Sequence, residues 1–310
     1  MKREVVLEAS TGYGKRLPSA PVGWVLAHLP DVALRAVRMR FEGRSTVRGI
    51  RPGWLEGASD IRVIDVYGAD DAHILFECPT LAEGAPELYD QRELWSAKPR
   101  ADLTALDLVG DIVQELQRRD RDSQLFDRGL LESLCPLAKA LDNGFTRICL
   151  PGKNGQDSAE ITQHVIETAG EFLTSTPRPQ RVRVSGRLDM VRASTSAFGV
   201  VLETGEEIAG VLVDGDVRRI GDLLTRPVMV EGTAVFRPSG NVLRLEATSV
   251  HETDEIERVW SELPRPRESR IERSELIQRQ GPRSGIAAIV GSWPGDETDE
   301  EIAELLEEIS

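Results

Sequence analysis

The chain has 310 residues, 40% of them hydrophobic and 29% charged, with a formal net charge of -14. That length and balance predict a folded protein of about two domains, and the charge excludes a surface that coats nucleic acid by general phosphate neutralisation. No apolar run approaches the roughly 18 to 20 residues needed to cross a bilayer, and MKREVVLEAS lacks a signal peptide's apolar centre and cleavage site, so a cytoplasmic protein without membrane contact is expected.

In chain order, Glu4 to Ala9 reads as a strand, followed by the Gly/Pro-rich connection TGYGKRLPSAP and a helix from Val22 to Arg40. Apolar residues are dense in 61–66 and 73–78, and YGADDA between them has turn chemistry, so these segments predict a hairpin. Helical spacing follows from Leu81 to Leu141, with Leu103, Leu106, Leu108, Ile112, Val113 and Leu116 as one apolar stripe. Phe145 to Leu150 reads as a strand. After the loop PGKNGQDS, Ser158 is placed as the cap of a helix ending near Ser175, and Thr-Pro-Arg-Pro marks a boundary. The first domain, mixed α/β, is therefore expected over 1–177.

Residues 178–252 read as strand (181–193), strand (198–205), strand (206–214), helix (216–226), strand (227–237) and strand (241–250). That order, with Gly186 free to bend the long first strand, resembles a five-stranded oligonucleotide/oligosaccharide-binding (OB) barrel. Barrels of that type that hold single strands offer aromatic stacking platforms and a basic groove. Here the aromatics are only Phe198 and Phe236, and ten arginines balance ten carboxylates. Arg181, Arg183 and Arg187 alternate along the first strand and share one face. With Arg192 and Arg237 they form the alternative candidate site, a phosphate-binding stripe; a solvated face paired with Asp189, Glu203 and Glu231 is the plainer reading.

Catalytic signals are sparse. His28, His73, His164 and His251 are scattered, and none lies three or four residues from another His or Cys. TGYGKR and PGKNGQDS are Gly-rich without the spacing of a phosphate-binding loop, although Lys153 precedes a helix. Cys78, Cys135 and Cys149 are odd in number and set in apolar strings, which predicts free thiols. The expectation is a protein that is not an enzyme and needs no cofactor or metal.

From 253 onward the chain reads as polar helices divided by Pro-Arg-Pro, then the apolar patch Ile286, Ala287, Ile289 and Val290, then a turn at Trp293 and Pro294. Thr298 and Glu301 have capping-box spacing, and Ile302, Leu305, Leu306 and Ile309 recur at i, i+3, i+4 and i+7. From Pro294 to Ser310 there are eight acidic residues and no basic one. So short a helix is marginal in water alone, so its stripe needs a surface, either on its own chain or on a partner.

The string WPGDETDEEI, ending in LLEEIS, resembles the C-terminal tails of small bacterial antitoxins paired with PIN-domain ribonuclease toxins. The likeness covers about 25 residues. It implies a toxin-antitoxin function, with a PIN-type toxin as protein partner, and a docking site formed by Ile286, Ile289, Trp293, Pro294, Ile302, Leu305, Leu306 and Ile309. Those antitoxins are far shorter, and 1–177 shows no ribbon-helix-helix or AbrB-like signature. The fold class expected is α+β: the N-terminal domain, the OB-like barrel over 178–252, and a helical tether with an acidic docking helix over 253–310.

Overall fold

The structure, a computed structural model, describes residues 1–266 apart from 11, 14, 15, 48, 69, 90–97, 153–158, 194, 214, 216 and 254–259. The expected tether from 267 on, the docking helix, Lys153 and Ser158 lie outside the described residues.

The first half runs β1 (Lys2–Ala9), α1 (Ser19–Glu42), α2 (Gly53–Ala58), β2 (Arg62–Gly68), β3 (Ala72–Glu77), α3 (Leu81–Gly84), α4 (Pro86–Tyr89), α5 (Ala105–Gln117), α6 (Arg128–Leu134), α7 (Ala138–Asp142), β4 (Phe145–Leu150), β5 (Ala159–Thr162) and α8 (Gln163–Ser175). The strands form one antiparallel sheet in the order β2-β3-β1-β4-β5. Alternation decides its faces. Val5, Leu7, Ile74, Phe76, Ile148 and Ile161 are buried in the same core as Val25, Leu29 and Val32 of α1, Val109 and Val113 of α5 and Phe172 of α8. Each such side chain contributes about 1.5 to 3 kcal/mol on burial. The other face of the sheet carries Glu4, Glu8, His73, Arg147 and Glu160, as expected where one face of an antiparallel sheet meets water.

Two boundaries differ from those read in sequence. The expected start of the last helix moves to Gln163, because Ala159–Thr162 is used as the edge strand β5; the Thr162 hydroxyl then accepts the Val165 N–H at 3.4 Å. The 24 residues of α1 end at Gly43, whose φ of +69° lets its N–H return to the Met39 carbonyl at 2.9 Å.

The second half contains β6 (Gln180–Arg192), β7 (Ala197–Val201), β8 (Glu207–Leu212), a 3-10 helix (Val217–Leu223), β9 (Pro227–Phe236) and β10 (Val242–Glu252). They close into a five-stranded barrel, β10-β8-β7-β6-β9. β8 and β10 are parallel and every other pair is antiparallel. The long β6 serves two neighbours: 180–187 pairs with β9 and 187–192 with β7. Gly186 stands at the changeover, where a Cβ would meet the Val201 carbonyl oxygen at 2.7 Å. This closed barrel fits the element order read from the sequence.

The segment after β8 is a 3-10 helix. Three residues per turn align Val217, Ile220 and Leu223 against the barrel interior. Leu224, counted in the stripe at 3.6 residues per turn, is turned outward and 44% exposed.

Both halves belong to one compact unit, Met1–Pro266. Val235 and Leu243 of the barrel join the first half's core. Arg244, buried, is paired to Asp127 at 3.1 Å and donates to the Gly43 carbonyl at 3.1 Å. Asp127 also accepts from Ser45 and caps α6 through the Leu130 N–H at 3.1 Å. At the β9–β10 turn, Asp122 accepts from Ser239 Oγ at 2.7 Å and from Asn241 Nδ2 at 2.9 Å.

Candidate functional site

The predicted arginine stripe is assembled in part. Arg181, Arg183 and Arg187 are all exposed on the outer face of β6. Arg183 is paired with Glu231 at 2.9 Å, directly across on β9. Arg192, half-buried at the end of β6, is itself engaged. Arg237 sits elsewhere: it is paired with Asp122 at 3.1 Å and donates to the Asp122 carbonyl at 3.0 Å, so it fastens the barrel to the first half. Phe198 and Phe236 are both buried in the barrel core. Among the described residues of 178–252, therefore, the barrel presents no aromatic ring for a base to stack on.

One exposed ring lies just beyond it. Trp260 is 38% exposed, and the neighbouring Ser261 hydroxyl accepts the Glu203 N–H at 2.7 Å. An adjacent recess of about 420 Å³ is lined by Thr204, Glu206, Asn241, Glu262, Leu263 and Arg265. Its carboxylates make it unsuited to phosphate.

The larger apolar exposure lies on β2. Val63, Ile64, Val66 and Tyr67 are each between 37 and 48% exposed. The cause is position: β2 is the edge strand, it pairs only with β3, and a register shift between Val63 and Asp65 breaks its alternation. Asp65 accepts the N–H of Val66 at 2.8 Å, which occupies one edge donor and discourages simple strand addition. The register divides these side chains between the two faces, with Val63 and Val66 beside Phe76 and Ile74 on the core side and Tyr67 beside His73 on the water side. Tyr67 stacks on His73 with centroids 5.2 Å apart and donates to Glu4 Oε1 at 2.6 Å; His73 Nδ1 lies 3.0 Å from the same oxygen. The Tyr67 bond, opposed by burial and assisted by His73, holds the Glu4 carboxyl below its ordinary range. The same bond raises the Tyr67 phenol.

The cysteines are free thiols, with Cys78 buried and the other two half-buried. Burial pushes Cys78 up to about 11. Burial and the hydrogen bond to Glu8 push Cys149 up to about 12, and burial also raises Cys135. None is held as a nucleophilic thiolate at neutral pH. His164 is exposed on α8. Among the described residues no three His, Cys, Asp or Glu side chains converge as a metal site, and no helix is long and apolar enough to cross a membrane.

The exposure of β2 was not legible in the sequence, where Val63, Ile64 and Val66 look like core. The one available signal was Asp65, a charge in the middle of an apolar strand. The expected docking residues Ile286, Ile289, Trp293, Pro294, Ile302, Leu305, Leu306 and Ile309 lie outside the described residues. No protein-family model, no curated protein and no solved structure matches this chain.

Proposed function

We propose that the chain is a non-catalytic regulatory protein of the antitoxin type that docks on a protein partner through its C-terminal tail. The observation that carries this reading is the sequence of the tail: the capping-box spacing of Thr298 and Glu301, the helical spacing of Ile302, Leu305, Leu306 and Ile309, and Trp293 before them. An amphipathic helix with an aromatic anchor is a recurring way to fill a groove on another protein. The apolar exposure of β2 supports protein contact as well, whereas the barrel, with its rings inside and Arg183 neutralised by Glu231, offers little to a nucleic acid.

The partner expected is a PIN-type ribonuclease, whose activity the tail suppresses by covering its metal-dependent centre. The test is co-expression with the product of the adjacent gene, followed by size-exclusion chromatography and a ribonuclease assay. Wild type should co-elute and inhibit, and a full chain carrying Trp293→Ala and Leu306→Asp should do neither. Unchanged co-elution of that variant removes the proposal.

A second reading rests on one observation, the shared exposed face of Arg181, Arg183 and Arg187. In it the barrel tracks a single strand by phosphate contacts. Titration of a labelled single-stranded oligonucleotide at low salt decides: affinity that falls in Arg181→Ala and Arg187→Ala supports it, and no binding, or no change in those variants, eliminates it.

A further inference from the structure

The last turns of α1 put Arg35, Arg38 and Glu42 along one side of the helix, and the turn at Gly43 brings Arg44 back beside them. Three of the guanidiniums and carboxylates here are accounted for. Arg35 is held by Asp31 at 2.8 Å and by the Gly129 carbonyl at 2.8 Å. Arg44 donates to Glu42 at 3.1 Å. Arg38 is different: its side chain is only 7% exposed, and the carboxylate it pairs with among the described residues, Glu42, lies 4.0 Å away, beyond hydrogen-bond reach. Of its nitrogens, only Nε is both enclosed and without a partner.

A buried guanidinium carries five N–H donors in a rigid fork. Arginines are almost never enclosed without a partner, because stripping water from the charge is costly unless hydrogen bonds replace it. The neighbourhood aggravates the cost. Burial first, and then the charges of Arg44, Arg51 and Arg35, push the Arg38 guanidinium below its ordinary value, with Glu42 opposing. Among the described residues, four guanidiniums thus stand with two carboxylates, Asp31 and Glu42, so the cluster is cationic in a chain whose net charge is -14. Such an arrangement carries two positive charges in excess, which one phosphate dianion would balance.

We propose that the C-terminal end of α1 is an oxyanion-binding site, in which Arg38 receives a single phosphate group of a small molecule and Arg44 and Arg51 contact it from the rim. The planar fork matches a tetrahedral oxyanion through paired N–H donors. One buried guanidinium suits one anionic group rather than a polyanion track. The proposal does not depend on the arginine face of β6 or on the docking reading.

The test titrates inorganic phosphate into the full chain at constant ionic strength, with chloride as background and acetate as a second anion, reading heat by calorimetry and melting temperature by scanning. Expected for wild type is saturable binding, weaker for acetate, with a rise in melting temperature that follows occupancy. Arg38→Met should weaken phosphate binding at least tenfold. Arg51→Gln, exposed and remote from the core, should weaken it several-fold while leaving the phosphate-free melting temperature unchanged. In chloride alone Arg38→Met should melt no lower than wild type, because it removes a buried guanidinium with an unpartnered Nε. Absence of saturable phosphate binding in wild type overturns the proposal, as does equal affinity in wild type and Arg51→Gln, which places the ion elsewhere.

Discussion

The two halves of Met1–Pro266 each use five strands and end differently: one sheet is open and the other is closed. Closure consumes the barrel's edges, and with them its aromatic rings, which fill the interior, while arginines and carboxylates are left to balance on the outside. The open sheet keeps an edge. β2 forms that edge, and its Val63, Ile64, Val66 and Tyr67 stay partly in solvent. The lesson is that an element's function follows from what its packing leaves unsatisfied. The barrel's remaining outward side chains, Val235, Leu243, Arg237 and Arg244 among them, are used up against the first half, whereas the first half retains an apolar edge and the unpartnered Nε of Arg38.

The largest expected effect tests whether the halves stand independently. Asp127→Ala removes the more deeply buried of Arg244's two carboxylate partners, the acceptor of Ser45 and the cap of α6, leaving Arg244 with Glu246. A loss of about 3 to 5 kcal/mol follows from breaking a buried pair, read as a lowered denaturation midpoint; a loss below about 1 kcal/mol would show the halves to be loosely joined. Next in size, Phe198→Ala opens a cavity in the barrel and should cost about 3 to 5 kcal/mol. A much smaller cost, by the same unfolding curve, would mean that the barrel is less tightly filled than its buried residues indicate.

The acid limb is a smaller effect. Hydrogen bonds from Ser239, opposed by burial and reinforced by Asn241 and Arg237, hold the Asp122 carboxyl below its ordinary value. A depressed carboxyl contributes stability above its unfolded pKa of about 3.9, and that stability is lost as pH falls through the lower folded value. Because the Asp122 side chain is half exposed, the contribution is screened to below about 1 kcal/mol. Stability measured from pH 6 downward should therefore fall less steeply in Asp122→Asn than in wild type, and identical slopes would contradict the clamp. Smallest of all, Ile64→Lys on the exposed β2 should change stability by no more than about 0.5 kcal/mol. A substantially larger loss in the same assay would mean that β2 is covered.

How much of this could be read from sequence varied with how local the cause was. The hairpin, α1, the α5 stripe and the strand order of 180–252 follow from periodicity and turn residues, which are local. The 3-10 helix escaped because Val217, Ile220 and Leu223 satisfy a three-residue period while Leu224 also fits a 3.6-residue one. Ser158 was a plausible cap by type, but the start of α8 was set by the pairing of β5 with β4, a neighbour the sequence does not reveal. Arg237 reads like any strand arginine, and only the tertiary fold sends it to Asp122. The exposure of β2 and the unpartnered Nε of Arg38 are both non-local: each depends on what other segments fail to cover.

The central proposal is that the chain docks on a protein through its tail, with nucleic-acid binding by the barrel as the competing reading. The most direct measurement is the affinity of the full chain for the ribonuclease product of the adjacent gene, compared between wild type, Leu305→Asp with Leu306→Asp, and Arg181→Ala with Arg187→Ala. The predicted result is a loss of about a hundredfold in the leucine variant, from removing a buried anchor worth roughly 2 to 4 kcal/mol, and no change in the arginine variant. Undiminished binding by the leucine variant would contradict the account.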